Sequence, residues 1–413
     1  MTEIQSLLTG GPPTFADPQH VGRPNIGDAT ALHRRIDEML GRRWLSNDGP
    51  LAREFEGRIA ELVGAKHCVA VGNATVGLEL AYRAAGLSGE VIVPANTFVA
   101  TVHALANQGI QPVFCEIDPA THNLDPIEVE KRITSRTTGI VGVHLWGRPC
   151  APRELERIAC EHRLALIFDA AHAFGCSAGD KMIGNFGDAE VFSFHATKFV
   201  SCGEGGAIVT NNDDFAARVR KLRNFGFDGC DLVVATGTNG KMSELAAAMG
   251  LTSLDSMEQF LAVNERNYRI YCDELAGIEG VVVLAYDRGE HCNFQYVVLE
   301  IDDHDSAFTR DQWLQVLHGE NVLARRYFYP GVHRMEPYRS LPAASHSRLP
   351  ATDRILSRVL VLPTGTAAQP DDIRRIGEIF RAARNNSSRL RSLLPAVLPL
   401  PTVPLAPQAR EAA

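Results

Sequence analysis

The sequence predicts an α/β protein: a large domain with a helix-wrapped mixed sheet, followed by a smaller α+β C-terminal domain. Three observations carry this. Short β-rich runs alternate with helical ones from about residue 53 to 210, as they do when helices wrap a sheet. Thr75, Phe98, Asp169 and Lys198 each follow a candidate strand, and open sheets of this kind collect ligands beyond the carboxyl ends of their strands. A second region, roughly 264–384, combines one long strand-like run with helices.

Residues 1–25 read as an N-terminal arm, 26–263 as the large domain, 264–388 as the small one and 389–413 as a Pro-rich tail. In the large domain strands are expected at 68–71, 91–93, 112–116, 139–143, 165–168, 191–194 and 206–209, each a short apolar run. Helices are expected between them at 75–85, 99–108, 126–133 and 153–161, the last with Leu155, Ile158 and Ala159 at core-facing spacing. Residues 213–262 carry two helical stretches around a Gly-, Asp- and Asn-rich loop, 226–239, able to reach another subunit. The small domain offers FQYVVLEID at 294–302 as a strand and helices near 311–317 and 371–383. The tail, with prolines at 395, 399, 401, 404 and 407, is expected to be extended and disordered, because those residues deny it helical hydrogen bonds.

A chain of 413 residues has room for two cores, and its formal charge of −8 is spread without a basic block that could follow a phosphate backbone, which argues against nucleic acid. The nine cysteines are odd in number, scattered and never at metal-ligand spacing, so they read as reduced thiols and no metal is expected. The start, MTEIQSLLTGGPPTF, has Glu3 and no positive n-region, and no uninterrupted apolar run reaches the roughly 18 residues of a membrane span. The expectation is a cytoplasmic protein without a membrane partner.

The chemistry centres on VFSFHATKFVSCGEGGAIVTNN, which sets Lys198 between a strand and a glycine-rich turn, about thirty residues after Asp169 ends another strand. A lysine with a pKa of roughly 10.4 is a poor nucleophile at neutral pH, but it becomes useful as a Schiff base with an aldehyde. Pyridoxal phosphate supplies that aldehyde, and its ring nitrogen needs a carboxylate such as Asp169 to stay protonated. In GNATVGLEL a helix opens near Thr75 with free amides and a positive dipole end, which suits a phosphate; Asn73 or Thr75 acting simply as an N-cap is the alternative. Phe98 reads either as a ring laid on the cofactor or as a core residue. His172, three residues after Asp169, would share a helical face with it, either touching the ring or serving structure. In an extended segment Ser193 and His195 would share one face; Ser193 is assigned to the phosphate and His195 is left open. GEGG at 203–206 lacks the third glycine of a dinucleotide loop, and Met242 after Gly240-Lys241 excludes a P-loop.

In order along the chain, WLSNDGPLAREFE, GNATVGLEL, VPANTFVAT, VGVHLWGRPC, FDAAHAFG, FSFHATKF, EGGAIVT, RNFGFD, GTNGKMSELAAAMGL and RRYFYPGVH resemble the DegT/StrS-type nucleotide-sugar aminotransferases, from Trp44 to about Thr366. The resemblance implies fold type I, a homodimer with shared active sites, and a cofactor cycling between pyridoxal 5'-phosphate and pyridoxamine 5'-phosphate. It implies Lys198 as Schiff-base lysine and proton shuttle, Asp169 at the pyridine nitrogen, Phe98 on the ring, His172 at the cofactor, and Ala74, Thr75 and Ser193 around the phosphate. Asn224 would come from the neighbouring subunit. Trp44, Asn47, Gly49, Lys241, Tyr329 and His333 would meet the nucleotide end of the substrate. FSFHATK, EGGA and RNFGFD are similar to the branch that aminates C4 of a TDP-4-keto-6-deoxy sugar, with L-glutamate as donor, in deoxysugar and antibiotic pathways. The alternatives are a C3 aminotransferase of the same family and a non-catalytic cofactor-binding regulator. Deoxygenases of the family carry histidine where this chain has Lys198.

Overall fold

The computed structural model describes residues 10–302, 304–341 and 348–394. Its centre is a seven-stranded sheet of β1 (His67–Val71), β2 (Glu90–Pro94), β3 (Gln111–Cys115), β4 (Thr137–Val143), β5 (Ala165–Asp169), β6 (Ala189–Ser193) and β7 (Gly206–Thr210), in the order β1-β7-β6-β5-β4-β2-β3. Strands β3, β2, β4, β5 and β6 run parallel, while β7 is antiparallel to both β6 and β1. The sheet is therefore mixed, as expected. All five residues of β2, β6 and β7 are buried, which explains their nearly unbroken apolar runs.

Helices cover both faces: α1 (Ala29–Arg42), α2 (Pro50–Val63), α3 (Ala74–Ala84), α4 (Val99–Ala106), α5 (Pro126–Arg132), α6 (Pro152–His162), α7 (Asp213–Arg223) and α8 (Glu244–Asp255). Their ends follow local chemistry. Pro50 opens α2, Gly64 closes it in the left-handed region, and the Glu244 carboxylate accepts from the backbone N–H groups of Leu51 and Ala52 at 2.9 and 2.8 Å. Ala74–Ala84 is capped by Asn73, whose Oδ1 accepts from Val76 N at 2.9 Å. Leu155, Ile158 and Ala159 of α6 are buried at the spacing the sequence showed.

Helix α9 (Met257–Leu275) runs unbroken through residue 264, where the sequence reading placed a domain boundary. Beyond it, β8 (Val281–Val283), β9 (Val297–Ile301) and β10 (Val359–Leu362) form an antiparallel sheet. Helices α10 (Arg310–Gly319), α12 (Pro370–Asn385) and α13 (Ser387–Leu393) share a core around Trp313, Leu317, Ile376 and Phe380, while α11 (Pro350–Arg358) packs Ile355 and Leu356 with Trp146, Tyr296 and Phe328. Residues 389–393 are thus helical, and the rest of the proline-rich tail, from 395, lies outside the described residues.

The N-terminal arm binds both units. Gln19–His20 pairs in parallel with Val322–Leu323, Phe15 enters the small core, and Asn25 Nδ2 donates to Phe199 O at 3.2 Å. Asn293 Nδ2 donates to the carbonyls of His172 and Phe174 (2.9 and 3.0 Å), and Gln295 Oε1 accepts from Phe199 N at 2.9 Å. The small unit is thereby docked against the loops that follow β5 and β6. The nine cysteines are all free thiols, five of them buried. Among the described residues no helix is long and apolar enough to cross a membrane.

Candidate active site

Beyond the carboxyl ends of β1, β5 and β6 lies a cavity of about 430 Å³, lined among others by Ala74, Thr75, Phe98, Asp169, His172, Ser193 and Lys198. Seven of the residues assigned to a cofactor from sequence therefore face one space. The N-terminus of α3 opens on it, and this approach depends on Gly206: a Cβ there would meet Ala74 N at 2.8 Å and Phe192 O at 3.0 Å. Asn73 is the N-cap, which leaves the amides of Ala74 and Thr75 for a phosphate. Phe98 is 58% exposed and turned into the cavity, so its core reading falls.

Asp169, the last residue of β5, is 5% exposed, and its carboxylate is nevertheless well held. Thr101 Oγ1 donates to Oδ2 at 2.7 Å, Ala171 N donates to Oδ1 at 3.0 Å, and Thr97 and Thr101 share a hydrogen bond of 2.8 Å. Burial pushes its pKa up, and the Thr101 hydroxyl, the Ala171 amide and the Lys198 ammonium pull the other way. Residues 170–175 form turns, not the helix that the His172 argument assumed. His172 still reaches the cavity because the turn aims it there. Its Nδ1 accepts from Trp146 N at 3.3 Å, and burial, with Lys198 nearby, holds its pKa well below the ordinary value, so the ring is neutral.

Lys198 lies in the turn after β6, five residues beyond Ser193. Burial lowers its pKa to about 8, against the raising influence of Asp169, so a useful fraction is free amine near neutrality. Its Nζ donates to Tyr296 Oη at 3.3 Å. Ser193 is buried at the strand end and His195 is exposed just beyond it, and both line the cavity. His195 Nδ1 lies 2.9 Å from Thr197 Oγ1, and its Nε2 lies 3.7 Å from Glu204.

The sequence reading missed the wall supplied by the small unit: Tyr296, Arg325, Tyr327 and Phe328. The Phe328 ring lies 6.0 Å from those of Phe98 and His172 and stacks on Trp146 at 5.7 Å. FQYVVLE reads as a strand, and nothing local marks Tyr296 as facing a lysine 98 residues earlier. Thr97 and Thr101, in VPANTFVAT, were also passed over, although a hydroxyl one helical turn after another is a visible signal.

The residues assigned to the nucleotide do not line this cavity. Asn47 stands in the left-handed region at φ 59°, Trp44 Nε1 donates to Ser46 O at 2.6 Å, and Gly49 packs on Glu244. Leu45 O accepts from Glu244 N at 3.0 Å, which joins that loop to the segment of Lys241. Lys241 Nζ donates to Asn224 Oδ1 at 3.1 Å and sits 4.7 Å over the Phe225 ring. Tyr329 lies between the guanidinium groups of Arg326 and Arg310 (4.7 and 4.9 Å), while His333 is buried beside Asp353 at 3.1 Å. Glu130, Glu161 and His162 could converge on a metal, but they are exposed and Arg157 already pairs with both carboxylates.

Comparison with known proteins bears on this geometry. The chain is 34% identical over 364 residues to a dTDP-4-amino-4,6-dideoxy-D-glucose transaminase of Shigella dysenteriae, covering 88% of this chain and 98% of that protein. It superposes on the crystal structure of DesI, determined in the presence of its TDP-sugar product, with a TM-score of 0.90 and 52% identity, covering 94% and 99% of the two chains. On S. venezuelae DesV, solved in complex with a ketimine intermediate, the TM-score is 0.79 at 28% identity, with 89% and 99% covered. Residues 28–381 match the family profile, and the chain belongs to the DegT/DnrJ/EryC1/StrS aminotransferase family.

Proposed function

We propose that this protein transfers an amino group from L-glutamate to C4 of a TDP-4-keto-6-deoxy sugar, giving a 4-amino-4,6-dideoxy sugar nucleotide for deoxysugar biosynthesis in the cytoplasm. The observation that carries the reading is one cavity faced by a lysine amine with its pKa lowered to about 8 and by a buried, hydrogen-bonded carboxylate. The transaminase from Shigella and the product complex of DesI support the substrate class.

The residues present fit pyridoxal 5'-phosphate. Lys198 would hold the aldehyde carbon, Asp169 the ring nitrogen, Phe98 and His172 the ring, and Ala74, Thr75 and Ser193 the phosphate. When bound, the cofactor supplies an electron sink that makes the donor's α-proton removable. Lys198 then takes that proton at Nζ and later returns one at C4 of the sugar, a task suited to an amine poised near working pH. Asp169 keeps the ring nitrogen protonated, and Thr101 holds Asp169 in place. Phe328, Tyr327 and Trp146 exclude water from one side.

Homodimerisation completes the reading. Phe225, Leu232, Val233, Val234 and Leu245 expose large apolar side chains within one stretch of chain, the kind of surface that a covering partner would bury. Asn224 and Lys241 lie in the same stretch of chain, which is where residues serving a neighbouring cavity would be placed. Incubation with L-glutamate and TDP-4-keto-6-deoxyglucose, followed by location of the nitrogen, tests the proposal. Nitrogen at C4 supports it, nitrogen at C3 overturns the position, and no transfer from any amino acid overturns the function.

A further inference from the structure

Behind Lys198 the main cavity has a small annex of about 20 Å³, lined by Gly22, Arg23 and Asn25 of the arm, and by Asn264, Gln295, Thr364 and others. Lys198, Tyr296, Tyr327, Thr197 and Val21 line both spaces, so the Lys198–Tyr296 hydrogen bond lies in the wall they share. The volume suits a single water, which needs on the order of 10–15 Å³ and two to four polar partners.

Two residues of its lining carry such groups. Asn264 Oδ1 is a buried side-chain atom with no hydrogen-bond partner among the described residues, and Gln295 Nε2, equally buried, has no neighbour to donate to but the adjacent Tyr296 phenol. Their orientations are fixed by their other halves: Asn264 Nδ2 donates to Asn293 O at 3.0 Å, and Gln295 Oε1 accepts from Phe199 N at 2.9 Å. Neither amide can turn over without losing that bond, so the annex presents one acceptor and one donor. Leaving both unmatched would be costly, and buried polar groups as a rule find a protein or water partner. The arm forms one wall of the annex. Gly22 has φ +77°, and a Cβ there would meet Thr197 Cβ at 3.1 Å, while Asn25 joins Phe199 O to Thr366 N.

We propose that the annex is a binding site for one resident water that accepts from Gln295 Nε2, donates to Asn264 Oδ1 and contacts Lys198 from behind, positioning its amine. This rests on the assignment of Lys198 as the cofactor lysine and proton carrier. With one hydrogen and one lone pair left over, such a water can donate to a neutral amine or accept from an ammonium. It therefore serves the lysine in both states through which the reaction takes it. Asn264 and Gln295 act through the water and are positioning residues.

The test is a crystal structure of the holoenzyme at a resolution that shows ordered solvent, with the pH midpoint of the bound cofactor's visible band measured in wild type and in Asn264→Leu. We expect one well-ordered water bonded to Asn264 and Gln295 within reach of Nζ, its loss in Asn264→Leu, and a band midpoint shifted by about one pH unit. Gln295→Met is the second variant and should displace the same water. A dry annex in wild type, or an unchanged midpoint in a variant with wild-type thermal stability, overturns the proposal. If the annex is dry but the cofactor is joined to Lys198, only this inference fails. If the water is present and the cofactor lies away from Lys198, it is the functional reading that fails.

Discussion

Lys198 Nζ meets the Tyr296 hydroxyl at 3.3 Å, a contact between the loop after β6 and the segment leading into β9. Burial keeps the Tyr296 phenol well above its usual pKa, so near neutrality it is a neutral partner able to accept from the ammonium or donate to the amine. Tyr296→Phe should leave the cofactor covalently bound while lowering kcat by about 10-fold, with a smaller change in KM, in steady-state assays. Unchanged kcat would leave the contact without a kinetic role.

Replacing Lys198 with alanine should abolish both the covalent cofactor band and turnover, the latter by on the order of 1,000-fold or more. Absorbance of the purified variant after incubation with cofactor checks the first, and product formation the second.

The lowered pKa of Lys198 predicts the pH dependence of cofactor uptake. Free amine is the reacting form, so the rate at which unloaded protein acquires its visible band should rise with pH through a midpoint near 8, well below that of an ordinary lysine. Asp169→Asn removes the negative charge that raises the pKa, so that midpoint should fall further. Stopped-flow absorbance over a pH series reads both.

Thr101→Val takes away the strongest support of the Asp169 charge. Because that hydrogen bond lowers the Asp169 pKa, its loss should raise the pKa, and the acid limb of kcat/KM should move up by about one pH unit. A pH–rate profile decides.

The base of α7 is tied to the sheet by a buried ion pair. Glu56 accepts from Ala70 N at 2.8 Å and from Arg223 at 2.7 Å, while Arg220 joins at 2.9 Å from a more exposed position. Glu56→Ala leaves Arg223 with only the Ala70 carbonyl at 2.8 Å and a long contact to Asp48 at 3.5 Å, and should cost about 3 kcal/mol in denaturant unfolding. Arg220→Ala, which removes a side chain that is itself 40% exposed and screened by solvent, should cost about 1 kcal/mol or less.

What could be seen in the sequence was whatever a short stretch of chain decides for itself. β5 ends at Asp169 because an apolar run stops at a carboxylate, and Lys198 stands out because a glycine-rich turn follows it. The order of the strands, with β7 inserted antiparallel between β1 and β6, depends on pairing across long separations. Tyr296, brought in by docking of the second unit, sits in a plain strand-like run, and although Arg325 and Phe328 lie in RRYFYPGVH, nothing in that run says that they reach the cavity. His172 was found by an argument from helical spacing although its segment is a turn. Its place after Asp169 mattered, and the supposed periodicity did not.

One wall of the cavity belongs to the smaller unit. The colour of a loaded protein is thus a gauge of assembly as well as of folding. A chain cut before β8 could build its seven-stranded sheet and still lack the hydroxyl and the stacked rings that shelter the lysine from solvent. Limited proteolysis followed by eye, as bleaching of a yellow sample, would report when the two halves part company.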